Sequence, residues 1–277
     1  MKKIVVTGGS GKAGGAALHE LAAHGYDVLN ADSVLPHAGG AKFRCKQVDL
    51  CDLGEVHEVL SGADGVVHMA AIPNEMNHTG AHVFRNNTLS TYNIFEAAKN
   101  LGLARVVWAS SETVLGLSFT DQAPRYAPVD DDHAPYPNSS YSLSKSVGEE
   151  MAAQFSRWRG VPHVGLRFSN IFLPEDYARI PEFWEEPKLR SWNLWGYVDV
   201  RDVGVSCRLG LEAAVEGAPN YTIAAADTVM NRSSTSLMAE VFPEVEIRRD
   251  LGEFETLLSI DKARRELGFE PQYSWRD

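Results

Sequence analysis

Tyr141 and Lys145 stand four positions apart in the run Tyr141-Ser142-Leu143-Ser144-Lys145. On a helix that spacing puts both side chains on one face, within mutual reach. A free phenol titrates near pH ~10, too high to serve as a base in neutral solution. A neighbouring ammonium, and a cationic ring bound beside it, stabilise the phenolate and bring it toward working range. A phenol tuned in this way takes the proton of an alcohol while hydride leaves the alcohol carbon. Upstream, the apolar run Val106-Val107-Trp108-Ala109 ends in Ser110-Ser111. Strand carboxyl ends are where open α/β sheets build their sites, and a serine there can hold and polarise a substrate oxygen. The plainer role, satisfying N–H groups of the following turn, suits Ser110 better than Ser111.

Hydride needs an acceptor, and Thr7-Gly8-Gly9-Ser10-Gly11-Lys12-Ala13-Gly14 supplies a place for one. The run follows the β-branched stretch Lys3-Ile4-Val5-Val6 and opens an alanine-rich helix from Ala13 to Ala23, the strand–turn–helix setting of a dinucleotide loop. Gly8 permits the tight turn, Gly11 lets the backbone approach a pyrophosphate, and Gly14 lets the helix sit close to the sheet. The free N–H groups of the helix N-terminus then face the phosphates. Asp32 lies 18 positions after Gly14 (32 − 14), close to the spacing of about 20 for a carboxylate that bonds ribose hydroxyls. A carboxylate there repels a 2′-phosphate, so the cofactor is read as NAD rather than NADP. Lys12 and Arg44 count against this, since either could reach such a phosphate.

Around these motifs strand-like and helix-like segments alternate. Strands are expected over Arg44–Asp49, Gly65–Met69, Arg105–Ala109 and His163–Phe168. Helices are expected over Asp52–Leu60, capped by Asp52, and over Ala81–Asn100 and Ser140–Arg159. The alternation implies a parallel sheet covered on both faces, an α/β fold of the Rossmann-type doubly wound class. Two stretches break the rhythm. Ser118–Pro137 holds four of the thirteen prolines and reads as an extended loop. Pro174–Trp195 carries Trp184, Trp192 and Trp195. These tryptophans are either the core of a small lobe or a wall for stacking sugars, and the core reading is preferred because a small lobe has little else to bury. The expected division is an NAD-binding domain over 1–173 and a small substrate-binding lobe over 174–277, with a segment near 197–216 returning to the main domain.

The 277 residues carry a formal charge of −11 and are 44% apolar. An acidic surface does not attract nucleic acid or anionic membrane, so neither is expected as a partner. Asp130-Asp131-Asp132 reads as a solvated loop. A strand expected from residue 3 leaves no room for a signal peptide, and no apolar run approaches the ~20 residues of a membrane span, which points to the cytoplasm. Cys45, Cys51 and Cys207 form no paired framework and read as reduced thiols. His78 and His82 share a helical spacing without a third ligand, so no metal is expected.

With these motifs in place, the chain resembles the extended short-chain dehydrogenases/reductases of the NAD-dependent epimerase/dehydratase group over nearly its whole length. Val48-Asp49-Leu50-Cys51-Asp52 resembles the family's adenine-contacting strand end, and His68-Met69-Ala70-Ala71 its strand beside the cofactor. Asn86-Asn87-Thr88-Leu89-Ser90-Thr91 resembles its Asn-Val-x-Gly-Thr helix, with serine in place of glycine. Arg167-Phe168-Ser169-Asn170 resembles Arg-x-x-Asn, Tyr197–Asp202 a returning strand, and Ile260–Ala263 with Leu267-Gly268-Phe269 the closing segment. The resemblance implies Ser111, Tyr141 and Lys145 as the catalytic set. It implies cofactor contacts at Gly8, Ser10, Gly11, Lys12, Ala13, Asp32, Asp49, Leu50, Met69, Ala70, Ala71, Asn87, Tyr141, Lys145, Phe168 and Asn170. Substrate contacts are implied at Ile72, Ser111, Glu112 and Asn170. Leu115 departs from the family, since many relatives carry tyrosine there.

The stretch from Pro174 to Trp195 is short where nucleotide-sugar relatives carry a longer insert, so a small polar substrate is expected: a free sugar, uronate or polyol. Compact members of this kind resemble uronate dehydrogenases. Arg179 or Arg190 could pair with a carboxylate, although each reads first as a surface arginine. Three activities compete: a dehydrogenase, a sugar epimerase that recycles its NAD internally, and a cofactor-binding sensor that has lost its chemistry. The intact Ser111, Tyr141 and Lys145 argue against the sensor. Glu112-Thr113, standing where a dehydratase carries Asp-Glu, argues against dehydration. Val147, Met151, Phe155 and Trp158 form an apolar stripe on the Tyr141 helix, and relatives pair this helix and Ala81–Asn100 into a dimer seam, so a homodimer is expected.

Overall fold

The computed structural model describes residues 2–36, 42–119 and 121–277; Thr120, within the expected loop Ser118–Pro137, lies outside them. The first half alternates as β1 (Lys3–Thr7), α1 (Lys12–Ala23), β2 (Asp27–Asp32), β3 (Arg44–Gln47), α2 (Leu53–Leu60), β4 (Gly65–His68), α3 (Gly80–Leu101) and β5 (Arg105–Ser111). It continues with α4 (Ser140–Arg159), β6 (His163–Phe168), the short strands β7 (Ile171–Phe172) and β8 (Val198–Asp199), α5 (Val200–Glu212), β9 (Asn220–Ile223), α6 (Ser234–Val241) and α7 (Asp261–Leu267). Seven strands form one parallel sheet in the order β3-β2-β1-β4-β5-β6-β9. The doubly wound α/β architecture is the one the alternation implies. Strand order reverses between β1 and β4, and the carboxyl ends of those two strands open the crevice in which such sheets bind ligands.

One face of the sheet packs Leu18 and Leu21 of α1, Val203 and Cys207 of α5, and Ala263 and Leu267 of α7. The other packs Val56 and Leu60 of α2, Ile94 and Phe95 of α3, and Ala152 and Phe155 of α4. The bounds of α4 coincide with those expected, because both ends carry strong signals. Ser139 accepts the backbone N–H of Ser142, and Gly160 closes the helix at φ +70°. Asp52 caps α2 as expected, accepting from Gly54 and Glu55 at 2.7 and 3.0 Å.

Tyr197–Asp202 is less of a strand than the family pattern suggests. Only Val198 and Asp199 pair with β7, and α5 begins at Val200 because Asp199 caps it by accepting from Arg201 N at 2.8 Å. The chain also returns to the main sheet over a longer stretch than 197–216, since β9 completes the sheet beside β6 and α7 packs beneath it.

A second core gathers Leu115, Leu117, Phe119, Val129, Trp195, Tyr197, Leu237 and Leu258, with Trp184 packed against it. The extended segment 118–137 joins it through Ala127 N to Glu246 O (2.9 Å) and Val129 N to Leu257 O (2.8 Å). Trp195 is wholly buried core, whereas Trp184 is half-buried, packs against that core and donates its indole N–H to Val229 O at 3.1 Å. Leu115, where relatives carry tyrosine, is likewise core. No helix among the described residues is long and apolar enough to cross a membrane.

Candidate active site

The glycine loop leaves β1 at Thr7 and enters α1 at Lys12. Gly8 takes φ +70°, and a Cβ there would stand 2.7 Å from Ala70 Cα; a Cβ on Gly14 would stand 2.2 Å from Gly8 O. Loop, helix and β4 end are thus packed backbone to backbone. Gly11 precedes α1 without any side-chain cap, leaving the first N–H groups of the helix available to an anion. A cavity of about 730 Å³ opens along this edge. It is lined by twelve of the expected cofactor-side and substrate-side residues: Gly8, Ser10, Gly11, Lys12, Ala13, Asp32, Asp49, Leu50, Met69, Ala70, Ala71 and Ile72. Val48, Cys51, Asn86 and Ser90 of the quoted motifs also line it, as do His78 and four residues not singled out by sequence, Ser33, Val34, Pro73 and Ile171. Most of them flank a motif residue, and adjacency was the one available signal.

Asp32 holds the far end of the crevice, accepting from Ser10 N and Val34 N, each at 3.0 Å. Lys12 donates to Ile171 O at 2.9 Å, and Arg44 pairs with Asp27 at the sheet edge. Arg44 is therefore engaged at the sheet edge, while Lys12 stays at the crevice, tied to a residue of its own lining. Asn87, buried in α3, clamps the wall of the crevice: it accepts from Ile72 N and donates to Ile72 O, both at 2.9 Å. His68 bridges Thr7 (2.7 Å) and Thr91 (3.2 Å) beneath this wall. Burial, followed by the charge of Lys145, pushes its pKa down to about 3, so it is neutral.

β5 and α4 bring the reactive trio together. Ser111 closes β5 opposite Phe168 of β6. Its hydroxyl accepts from Thr113 N at 3.2 Å and Thr113 Oγ1 at 2.9 Å, and hydrogen-bonds the Tyr141 phenol. Turn satisfaction therefore falls to Ser111, not to Ser110, whose hydroxyl donates to Glu149 at 2.6 Å. Lys145 Nζ lies 5.7 Å from the centre of the Tyr141 ring and donates to Ala109 O at 2.7 Å. Burial pushes the Lys145 ammonium down to about 8. Burial also pushes the Tyr141 phenol up to about 12, against its hydrogen bond with Ser111 and aided by the charge of Glu112. The acidified phenol expected from the Tyr–Lys spacing is thus not a property of the chain alone. Desolvation outweighs the neighbouring ammonium.

Ser111, Tyr141 and Lys145 line neither the crevice nor the smaller cavity of about 380 Å³ that adjoins it at Lys12 and Ile171 and is lined by Asn170, Phe172, Asp176, Arg179, Phe183 and Arg190, among others. Arg190 is a buried residue, 8% exposed, not the surface arginine its sequence context suggests. It donates to Asn170 Oδ1 at 3.0 Å and Gly196 O at 2.9 Å. Its guanidinium stands 5.0–5.4 Å from the ring centres of Phe172, Phe183 and Trp192. Burial pulls its pKa down to about 10. Trp192, unlike the other two tryptophans of its stretch, therefore faces the site. Arg179 is exposed and pairs with Glu182 at 3.7 Å.

A brace holds α4 to the strand ends. Arg167 of β6, buried, donates to Glu149 Oε1 and Oε2 at 2.8 Å each, and to Asp131 O and Oδ1 at 3.0 and 3.3 Å. Thr222 Oγ1 donates to Asp131 at 2.8 Å. The Asp130–Asp132 run is therefore no solvated loop, since its middle member is a buried counter-ion. The pairing joins residues far apart in the chain, which composition does not reveal.

The crevice at the strand switch and the Ser-Tyr-Lys grouping define a dinucleotide-binding α/β enzyme. The profile of the NAD-dependent epimerase/dehydratase family matches residues 4–223, and the chain belongs to that family. A putative UDP-glucose 4-epimerase of Methanocaldococcus jannaschii is 32% identical over 179 residues, 61% of this chain and 56% of that protein. A uronate dehydrogenase of Pseudomonas putida is 28% identical over 185 residues, 66% of each chain. The matched region thus spans less than two thirds of these curated relatives. A short-chain dehydrogenase/reductase superfamily protein of Agrobacterium tumefaciens, solved with bound NAD, superposes with a TM-score of 0.75 at 22% identity, covering 99% of this chain and 94% of that one.

Proposed function

We propose that this chain is an NAD-dependent dehydrogenase acting on a hydroxyl of a small polar sugar, a uronate above all. The observation that carries the reading is the grouping of Ser111, Tyr141 and Lys145 at the strand carboxyl ends, linked through Glu112 to the buried cation Arg190 of the smaller cavity. The crevice fits NAD: backbone N–H groups free of side-chain caps would hold the pyrophosphate, and Asp32 would hold a ribose. Bound there, NAD supplies the hydride acceptor. Ser111 holds the substrate oxygen, and Tyr141 takes its proton as the carbon is oxidised. Lys145, fixed on Ala109 O, supplies positive charge under the phenol, and Asn87 keeps the Ile72 wall in place. Phe168 and Asn170 would line the nicotinamide, Asn170 would also touch substrate, and Arg190, held by Asn170, would pair with a substrate carboxylate. The limited cavity beyond Asn170 favours a monosaccharide over a sugar nucleotide.

The substrate side begins near residue 173 and is completed by Leu115, Leu117, Phe119, Ala127 and Val129 of the preceding chain, which join the second core. Tyr92 of α3 and Trp158 of α4, 41% and 52% exposed, mark the seam of a homodimer.

The test is NADH absorbance during incubation with aldoses, uronates and polyols. Stoichiometric NADH from a uronate is expected. Isomer formation without net NADH would replace the dehydrogenase by an epimerase. Tyr141→Phe should lower turnover by about 10²–10⁴-fold while leaving NAD affinity nearly unchanged. Strong residual activity would remove Tyr141 from its role.

A further inference from the structure

Glu112 follows Ser111 directly and is 3% exposed. Its carboxyl is faced by the Ser169 hydroxyl, the Asn170 backbone N–H, the Asn193 amide (3.5 Å) and the charge of Arg190. From α4 it is faced by the Tyr141 phenol. Glu112 Oε2, Asn193 Oδ1 and Arg190 Nε are buried without a hydrogen-bond partner. Both Asn193 Nδ2 and Arg190 Nη2 donate to Gly196 O, at 2.8 and 2.9 Å, so these groups form one cluster. Buried polar atoms are nearly always paired. Several unpaired ones together, beside a cavity, mark room for one more polar group.

We propose that Glu112 is a specificity-determining residue that takes up a proton when the carboxylate of a sugar acid seats on Arg190. This rests on the dehydrogenase reading above and extends it to how the site tolerates an anion. With Glu112 ionised and Arg190 protonated the cluster is neutral. A substrate carboxylate adds a negative charge in a desolvated place, and the least costly relief is a proton from solvent on Glu112. Burial already holds that carboxyl up at about 7, against its hydrogen bonds and the charge of Arg190. Protonation also removes a negative charge from beside Tyr141.

The sign follows from linkage. Below the free-site pKa Glu112 is already protonated and binding is independent of pH. Above it each binding event consumes a proton, so affinity falls as pH rises. Between about pH 6 and 8 the dissociation constant for a sugar acid should rise about tenfold.

The experiment is calorimetric titration of the NADH-loaded protein with D-glucuronate, at about pH 8 in two buffers of different ionisation enthalpy, and again at about pH 6. The wild type should take up close to one proton per site and show the tenfold change, whereas D-glucose should show neither. Glu112→Gln, nearly isosteric, should take up none and vary less than about twofold with pH. Equal uptake by wild type and variant, or glucuronate affinity that rises with pH, overturns the proposal. If the variant fails to bind NADH, uptake by the wild type alone decides, and its absence is fatal. NADH production from a neutral sugar with no binding of glucuronate overturns the role of Glu112 and leaves the dehydrogenase standing. No NADH from any sugar, in a protein that still binds NADH, removes both.

Discussion

Arg167→Met tests whether the brace behind the active site holds the molecule together. The guanidinium makes two 2.8 Å bonds to Glu149 and a 3.0 Å bond to Asp131 O, with the Asp131 carboxylate 3.3 Å away. The side chains of Arg167, Asp131 and Glu149 are only 6%, 5% and 11% exposed. Methionine fills similar volume but strands two buried carboxylates. Removing one partner of a buried pair costs about 3–5 kcal/mol. At this chain length about 2 °C is lost per kcal/mol, so the melting temperature should drop by about 6–10 °C. Burial already raises the Asp131 carboxyl above its ordinary value against the charge of Arg167, and in the variant that opposing charge is gone. The penalty is therefore full at high pH and relieved as pH falls through the folded value. Urea unfolding at about pH 8 and about pH 5.5 should show the gap from wild type narrowing in acid. A gap under about 1 kcal/mol, or one that does not change with pH, would refute the claim that Arg167 neutralises these acids.

Three further outcomes are expected. Asp32→Asn removes the charge that repels a 2′-phosphate, so competitive binding of NAD and NADP should shift toward NADP by about tenfold or more; an unchanged ratio would show that Asp32 does not discriminate. Gly14→Ala places a Cβ 2.2 Å from Gly8 O. It should abolish NAD binding in a fluorescence titration and destabilise the fold by about 1–3 kcal/mol, and wild-type affinity would contradict the close packing. Tyr92→Glu, on the exposed face shared with Trp158, should convert a dimer to a monomer in light scattering. A wild type that already scatters as a 30.4 kDa particle would remove the seam.

Much of the fold was legible because its signals are local. The β-branched run before Gly8, the Asp52 cap and the Ser139–Gly160 bounds of α4 each lie within a few residues of what they determine. The cofactor crevice was equally open to reading, since its walls are turns at the ends of consecutive strands. The substrate side was not. Arg190 looks like any surface arginine until Phe172, Phe183 and Trp192 close around it, and Asp131 looks solvated until Arg167 arrives from β6. Both depend on pairings across long stretches of chain. The assignment of turn duty to Ser110 failed for a subtler reason: which of two adjacent serines caps the turn depends on where the strand stops, and β5 runs two residues further than its apolar run suggests. The burial of Tyr141 was not legible, because spacing reports which groups are near and says nothing about how much water has been removed.

The segment from Arg105 to Phe119 belongs to two bodies at once. Its first part is an interior strand of the sheet, between β4 and β6, and its last residues, Leu115, Leu117 and Phe119, are pinned inside the second core. Ser111 and Glu112 sit at the joint. The smaller body cannot tilt without dragging both residues relative to the phenol on α4, so its internal fit acts as the gauge that spaces the reacting groups. Damage to remote packing around Leu117 should then register as lost turnover while the dinucleotide is still held at full strength.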